Sequence, residues 1–525
     1  MKPAVTIRIL AFARLALPWL LACTGAPLAA QEAGDTVTTA APAAATDGEL
    51  YLEGGQYGQR SVRSSVSQVR GGLTLDAALD AERSSNYRDG SDFTQRNASG
   101  GAEWKQRQGR LGMSADSTQQ ETHYPAPQGL FSALMPLSQR PEDSYVYHSR
   151  RISAFAQRYI GNIDLGLEVQ RREKNSTATY VGDSGNYASQ YRSVQNQLAP
   201  RLRHYGKLGA TTTDTELGID LTEWRRRSTS MTPELSSRVA RRQTSAALLL
   251  REELAFAGPY APRLLLGLRH ERVHLDAADA LLGEKWKRQN GWDIQGSALL
   301  AAQLTVHAKA ARSYRIDDDG YTSAGYRPLA GQLRRESEVG ATWGNEVRSI
   351  SARVFSERLS NQIVFDQNLG QQGYVGNLEP GRRDGVVLDA GMNLGREWRL
   401  TGQLQQVSAH FENYPYDGPD IALVARTLAA TRLYWTPKGA SSADLGLQWL
   451  RALPYGNDFE HSCLAQVPRF AMLDGRYGYK YGAWELALTG SNLTNRRHYG
   501  DAPACRSSIY QNDARQLRLS LRYRF

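Results

Sequence analysis

The chain has 525 residues, 41% hydrophobic and 22% charged, with a mean hydropathy of -0.51 and a formal net charge of +10. Beyond the amino terminus no apolar run reaches the ~18 residues a membrane helix needs, which excludes a helical membrane protein. The basic balance points first to nucleic acid, but no recognition motif accompanies it, and the amino terminus marks the chain for export.

Lys2, Arg8 and Arg14 precede the apolar stretch 15–22, and Ala26, Ala29 and Ala30 offer small residues for cleavage before Gln31. This is the layout of a secretory signal over residues 1–30. Cys23 follows Leu20-Leu21-Ala22, a loose match to a lipoprotein processing site in which Leu21 is bulky. Residues 31–48 are rich in Ala, Thr and Asp, lack any apolar period and read as a disordered leader. They are too few for a folded domain, for which about 40 residues is the usual floor.

From Glu49 the pattern changes to alternation. Leu73, Leu75, Ala77, Leu79 and Ala81 alternate with Thr74, Asp76, Ala78, Asp80 and Glu82; Ile163, Leu165, Leu167 and Val169 alternate with Asp164, Gly166, Glu168 and Gln170. A period of two with one apolar face is a strand between an apolar medium and a wet one. Short turns close one side, at Gly71-Gly72, Gly161-Asn162, Gly344-Asn345-Glu346, Gly395-Arg396-Glu397 and Gly482-Ala483. Longer connections lie on the other, over 122–143, 181–190, 317–327, 413–421, 456–466 and 501–513. Such asymmetry predicts an all-β fold, a transmembrane antiparallel β-barrel over 49–525 of about 22 strands with its long loops outside. No repeated blade motif supports a soluble propeller.

The last strand is the clearest. Leu517, Leu519, Leu521, Tyr523 and Phe525 share one face, while Arg518, Ser520, Arg522 and Arg524 share the other. A terminal aromatic on such a strand resembles the assembly signal of bacterial outer-membrane barrels, here Tyr523 and Phe525, and implies the barrel assembly machinery as a partner. Arginine doublets, among them Arg334-Arg335 and Arg382-Arg383, sit near strand ends. They either face lipopolysaccharide phosphates or draw anionic solutes towards the pore. With Cys23 removed, Cys463 and Cys505 form an even pair in successive external loops of an oxidising compartment, and a disulfide is expected.

One ordered set of segments carries a family resemblance over 49–525. Gly490-Ser491-Asn492-Leu493-Thr494-Asn495-Arg496-Arg497-His498-Tyr499, followed by a loop and the terminal strand, resembles the closing signature of TonB-dependent outer-membrane receptors. Tyr57-Gly58, Tyr87 to Asp92, Ala311 to Arg315, Glu336 to Gly340 and Arg382 to Val386 resemble earlier pieces in the family's order. The resemblance implies a Gram-negative outer-membrane location after Sec-type export, and uptake of a metal chelate such as a ferric siderophore. It also implies a lumen-filling plug, which the sequence lacks between leader and barrel. A separately encoded plug, a passive wide channel and an adhesin or structural barrel therefore stay open. Asp35-Thr36-Val37-Thr38-Thr39-Ala40 resembles the box that pairs with TonB, although a Thr/Ala-rich linker yields the same string.

Tyr124, Tyr321, Tyr326, Tyr414 and Tyr416, with Arg327 and Arg382, are candidate contacts for an anionic, aromatic chelate. The same tyrosines would serve as an interfacial girdle and loop packing. No G-x-S-x-G elbow or H-E-x-x-H helix is present, no His/Cys cluster suggests a resident metal or cofactor, and the chain reads as not an enzyme.

Overall fold

The computed structural model describes residues 45–88, 90–124, 143–182, 185–231, 236–277, 285–316, 329–366, 374–413, 418, 420–456, 458–459, 463, 466–497, 499–504 and 508–525. Cross-strand pairs between neighbours in the chain build one 22-stranded antiparallel sheet. The first strand, Ala45–Gly55, pairs on one side with Arg60–Arg70 and on the other with the last strand, Gln516–Arg524. The sheet is therefore a closed barrel, as its alternation predicts, and no unpaired edge faces lipid.

A glycine sits at the join of the two ends. Gly48 donates its amide to the Phe525 carbonyl at 2.9 Å and accepts from the Phe525 amide at 3.0 Å. A Cβ on Gly48 would meet the Phe525 ring at 2.3 Å, so glycine lets the terminal aromatic lie across the first strand as it does, and a larger residue would turn the ring aside. Tyr523 continues the contact, its ring 4.4 Å from Trp484 and 5.7 Å from Phe525. An aromatic cluster thus seals the join between the two ends of the chain.

Alternation is realised as two faces. Leu79, Leu165, Leu248, Val339, Val354, Leu488 and Leu519 are exposed on the outer wall, Val339 by 64% and Val354 by 59%. Such surface on a soluble protein would invite aggregation; around a barrel it is the apolar belt that lipid covers. Residues between them point inward and are mostly polar or small, with Phe355 beside Val354 as one apolar exception.

The two ends also differ as expected. Turns at 71–72, 161–162 and 482–483 join strands directly, whereas the other end carries the connections 124–143, 361–380, 412–426, 451–469 and 492–515. Two small hairpins decorate these loops, Gln362–Asp366 with Tyr374–Leu378 and Tyr499–Ala504 with Ser508–Gln511. Two expectations change. Residues 45–48, expected at the end of the leader, belong to the first strand and pair with 66–69. Residues 181–190 were expected as a long loop, yet Ile163–Gly182 and Gly185–Leu208 remain paired up to Gly182 opposite Gly185. Both faces of this hairpin stand in water above the belt, so apolar alternation is lost although the strand continues. Tyr180 stacked on Tyr187 at 6.0 Å supports its tip.

Candidate functional site: the inner wall and its loop-side rim

Inward-facing positions form an ion-paired lattice. On the strand Thr211–Met231, the exposed Leu217, Ile219 and Leu221 put Asp220 on the lumen side. Asp220 accepts from Arg201 at 2.5 Å and from Arg269 at 2.7 Å. Arg269 also reaches Glu271 at 3.2 Å, and the Tyr314 hydroxyl donates to Glu271 at 2.6 Å. Four strands are thereby stapled by one chain of charge-assisted hydrogen bonds.

A second group lies further round. Lys309 pairs with Glu336 at 2.9 Å, and Arg334 pairs with Glu336 at 3.2 Å and Glu357 at 3.1 Å. Arg383 stands opposite Glu357 in the register. Glu338 binds Arg353 at 3.0 Å and His307 at 3.2 Å. At the join, Arg522 lies 3.4 Å from Glu49 and 3.5 Å from Glu485. Arginine is suited to this work because its planar donor fork serves two carboxylates at once.

The lattice leaves one sector open and closes another. On the first strands, Ser65, Ser67, Ala78, Ser99, Gly101 and Ser114 are too small to fill the lumen and leave a recess of about 830 Å³, edged by Asp76 and Asp116. Across the wall an apolar cluster forms at the loop end. Val407, Ala409 and Phe411 pack with Ile421 and Phe459, which come from the connections 412–426 and 451–469. Phe411 and Phe459 meet edge-on at 6.1 Å, and the Ile421 amide donates to the Ala409 carbonyl at 3.1 Å. Gly381 makes room for Ile421, since a Cβ there would lie 2.7 Å from its Cδ1. These two loops are bound to the inner surface of the rim.

The expected site residues are placed unevenly. Tyr124 is half-buried at the rim, its amide donating to the Asp143 carbonyl at 2.9 Å. Arg382 lies on the outer face, in line with the exposed Val386, and pairs with Asp384 at 2.9 Å. It is its neighbour Arg383 that faces the lumen. Tyr321, Tyr326, Arg327, Tyr414 and Tyr416, and the segment Asp35, Thr36, Val37, Thr38, Thr39 and Ala40, lie outside the described residues. Cys463 is disulfide-bonded, and Cys505 lies outside the described residues. Tyr87, in the loop-side connection 85–92, sits edge-on to Tyr57 at 6.5 Å, and burial pushes its phenol up to about 12, so it remains a neutral hydrogen-bond donor. Among the described residues no group of three or more His, Cys, Asp or Glu side chains could hold a metal ion. The sequence reading missed the Asp220 lattice and the Phe411 cluster; alternation marked their strands, but pairing across strands decides which charges meet.

Comparison with known proteins identifies the architecture. The family model described as TonB dependent receptor-like, beta-barrel matches residues 42–493. No curated protein matches the chain. Among solved structures, BauA, the ferric preacinetobactin receptor of Acinetobacter baumannii, superposes with a TM-score of 0.76 at 13% identity, covering 92% of this chain and 80% of that one. FyuA, the ferric yersiniabactin uptake receptor of Yersinia pestis, gives 0.76 at 15% identity over 93% and 81%. The copper transporter OprC gives 0.75 at 13% over 92% and 80%. At such identities the likeness speaks for the fold alone. The family model spans most of the barrel whose 22 strands, apolar belt and long-looped rim have just been described, and on that match the chain belongs to the TonB-dependent receptor β-barrel family.

Proposed function

We propose that this barrel takes up a scarce metal chelate, a ferric siderophore or a chelate of similar size and negative charge, across the outer membrane. The observation that carries the reading is the inner wall of the 22-stranded barrel, set with arginines such as Arg201, Arg269, Arg334 and Arg383. Solved relatives in fold whose titles name ferric chelates support it. Tyr124 and the loop residues Tyr321, Tyr326, Arg327, Tyr414 and Tyr416 are the proposed first contacts, with Arg382 at the outer margin of the rim. A disulfide between Cys463 and Cys505 would tie the last two external loops together, and the inward packing of Phe459 and Ile421 would keep part of the mouth closed.

In this reading residues 1–30 direct Sec-type export, the barrel assembly machinery inserts the chain, and 35–40 offers TonB an extended segment for strand addition. If residues 1–44 add no folded domain, the lumen is filled by a plug supplied by a second polypeptide. The test is uptake of radiolabelled iron, offered as catecholate, hydroxamate and carboxylate chelates, by cells lacking other receptors. Chelate-selective uptake that collapses without the energising complex is expected. A large, permanently open conductance of the purified chain in planar bilayers, with no selective uptake, would replace this reading by a passive channel.

A further inference from the structure

On the inner wall, one row of the first three strands sets a serine between two glutamates. Ser61 lies directly opposite Glu53 on one side and Glu82 on the other. The exposed Leu52, Val62 and Leu79 belong to the outer belt, so alternation turns Glu53, Ser61 and Glu82 to the lumen. The tight connection 56–59 stands just above the row, at the loop end.

Ser61 is 1% exposed, and its hydroxyl has no hydrogen-bond partner among the described residues. Buried hydroxyls are nearly always bonded, and a serine can both donate and accept. Each flanking carboxylate has one oxygen engaged and one open. Glu53 Oε2 accepts from the Tyr51 hydroxyl at 2.6 Å, while its Oε1 lies 3.8 Å from Arg518, too far for a hydrogen bond. Glu82 Oε1 accepts from the amide nitrogen of the buried Gln59 at 2.8 Å. Neither Glu82 Oε2 nor the Gln59 carbonyl oxygen has a donor among the described residues.

Two carboxylates on either side of one hydroxyl repel each other, and the Glu53 side chain is only 10% exposed to water that would screen it. Arg518 offsets one charge loosely, and its own Nε is buried without an acceptor. The row lacks a positive centre able to take lone pairs from several oxygens at once. We propose that it binds a hard divalent cation, calcium, through Glu53 Oε1, Glu82 Oε2, the Ser61 hydroxyl and the Gln59 carbonyl, with water completing the shell. The donors are all oxygen, as calcium requires, and they come from neighbouring strands of a curved wall. That suits calcium's tolerant geometry better than the strict octahedron of magnesium. Metals that seek thiolate or imidazole find no ligand in this row. Bound there, the ion ties the first three strands together beside the last strand, which carries Arg518. The site does not depend on what the barrel transports.

The experiment uses the full-length folded barrel in detergent, stripped with a chelator and titrated with terbium, a luminescent stand-in for calcium that nearby tyrosine excites. Tyr51 supplies that tyrosine, since its hydroxyl bonds Glu53. Sensitised emission is expected, displaced by calcium with a midpoint of about 10⁻⁴–10⁻³ M, the range of extracellular calcium sites, and by magnesium only at far higher concentration. Glu53→Gln and Glu82→Gln should each raise that midpoint roughly 10-fold or more, because affinity follows the count of charged ligands. Ser61→Ala should raise it less. Asp76→Asn, an inward carboxylate nearer the turn end, should leave it unchanged. Should either glutamine variant lose heat-modifiable migration, Ser61→Ala, which keeps both carboxylates, reads the site in a folded barrel. Absent emission, emission that calcium does not displace, or a midpoint unmoved by these substitutions overturns the site; a bridging water alone gives that result. Equal displacement by magnesium overturns calcium as its occupant.

Discussion

Arg334 and Arg335 are adjacent in sequence and lie on opposite sides of the wall. Arg334 faces the lumen between Glu336 and Glu357, at 3.2 and 3.1 Å, while Arg335 faces outward with Arg312 and Arg358 opposite it. Arg382 and Arg383 repeat the division, outer and inner, two strands away. The difference teaches how a barrel handles charge. The inner cations Arg201, Arg269 and Arg334 are paired with carboxylates within the chain, whereas Arg383 stands opposite Glu357 with its buried Nε unpartnered. On the outer wall Arg358 and Arg382 pair with Glu412 and Asp384, while Arg335 stands opposite Arg358 with no ion pair among the described residues.

The largest test of this contrast moves a cation down the outer wall. Val354 and Arg358 share a strand and a face, four residues apart. Val354→Arg would place a guanidinium in the apolar belt, at a cost of about 2–4 kcal/mol at the bilayer midplane and less nearer the interface. Urea unfolding in lipid vesicles should show the loss. A cost near zero would mean that Val354 is not facing hydrocarbon.

Next comes the inner lattice. Asp220 has a side chain only 10% exposed and accepts from two arginines. Asp220→Ala leaves Arg201 and Arg269 without their shared acceptor, and about 1.5–3 kcal/mol of stability should go with it. Asp220→Asn, which retains one acceptor oxygen, should recover part of that. An unchanged unfolding midpoint in both variants would show that lumen water already replaces the carboxylate.

How far this contrast was legible beforehand depends on which residues are asked about. Leu517 to Phe525 announce the terminal strand because lipid and water lie on its two faces, and period two records that directly. The hairpin tip around Tyr180 and Tyr187 reads as a loop in sequence because water bathes both of its faces, so nothing forces alternation. Arg334-Arg335 could be recognised as a strand-end doublet, but not as one paired and one unpaired cation. That requires the register of three strands, whose partners are separated in sequence by the full length of each hairpin. Gly48 gave no signal at all, since its reason to be glycine is a ring 477 positions away.

The smallest effects sharpen the comparison most, because they predict a sign. Arg334→Gln removes ion pairs to Glu336 and Glu357 and should destabilise by about 1 kcal/mol. Arg335→Gln, in detergent, removes repulsion from the exposed Arg358 directly opposite it and should stabilise by a few tenths of a kcal/mol. Salt then separates the two mechanisms. The screening length falls from about 10 Å at 0.1 M to about 3 Å at 1 M, shorter than the ~4.8 Å between strands. The gain from Arg335→Gln is purely a repulsion between exposed charges, so more than half of it should vanish at 1 M salt. The loss from Arg334→Gln rests on hydrogen bonds to half-enclosed carboxylates and should mostly remain. Parallel unfolding titrations of the two variants at both ionic strengths measure this, and a destabilising Arg335→Gln would show that the outer arginines are neutralised from within the chain.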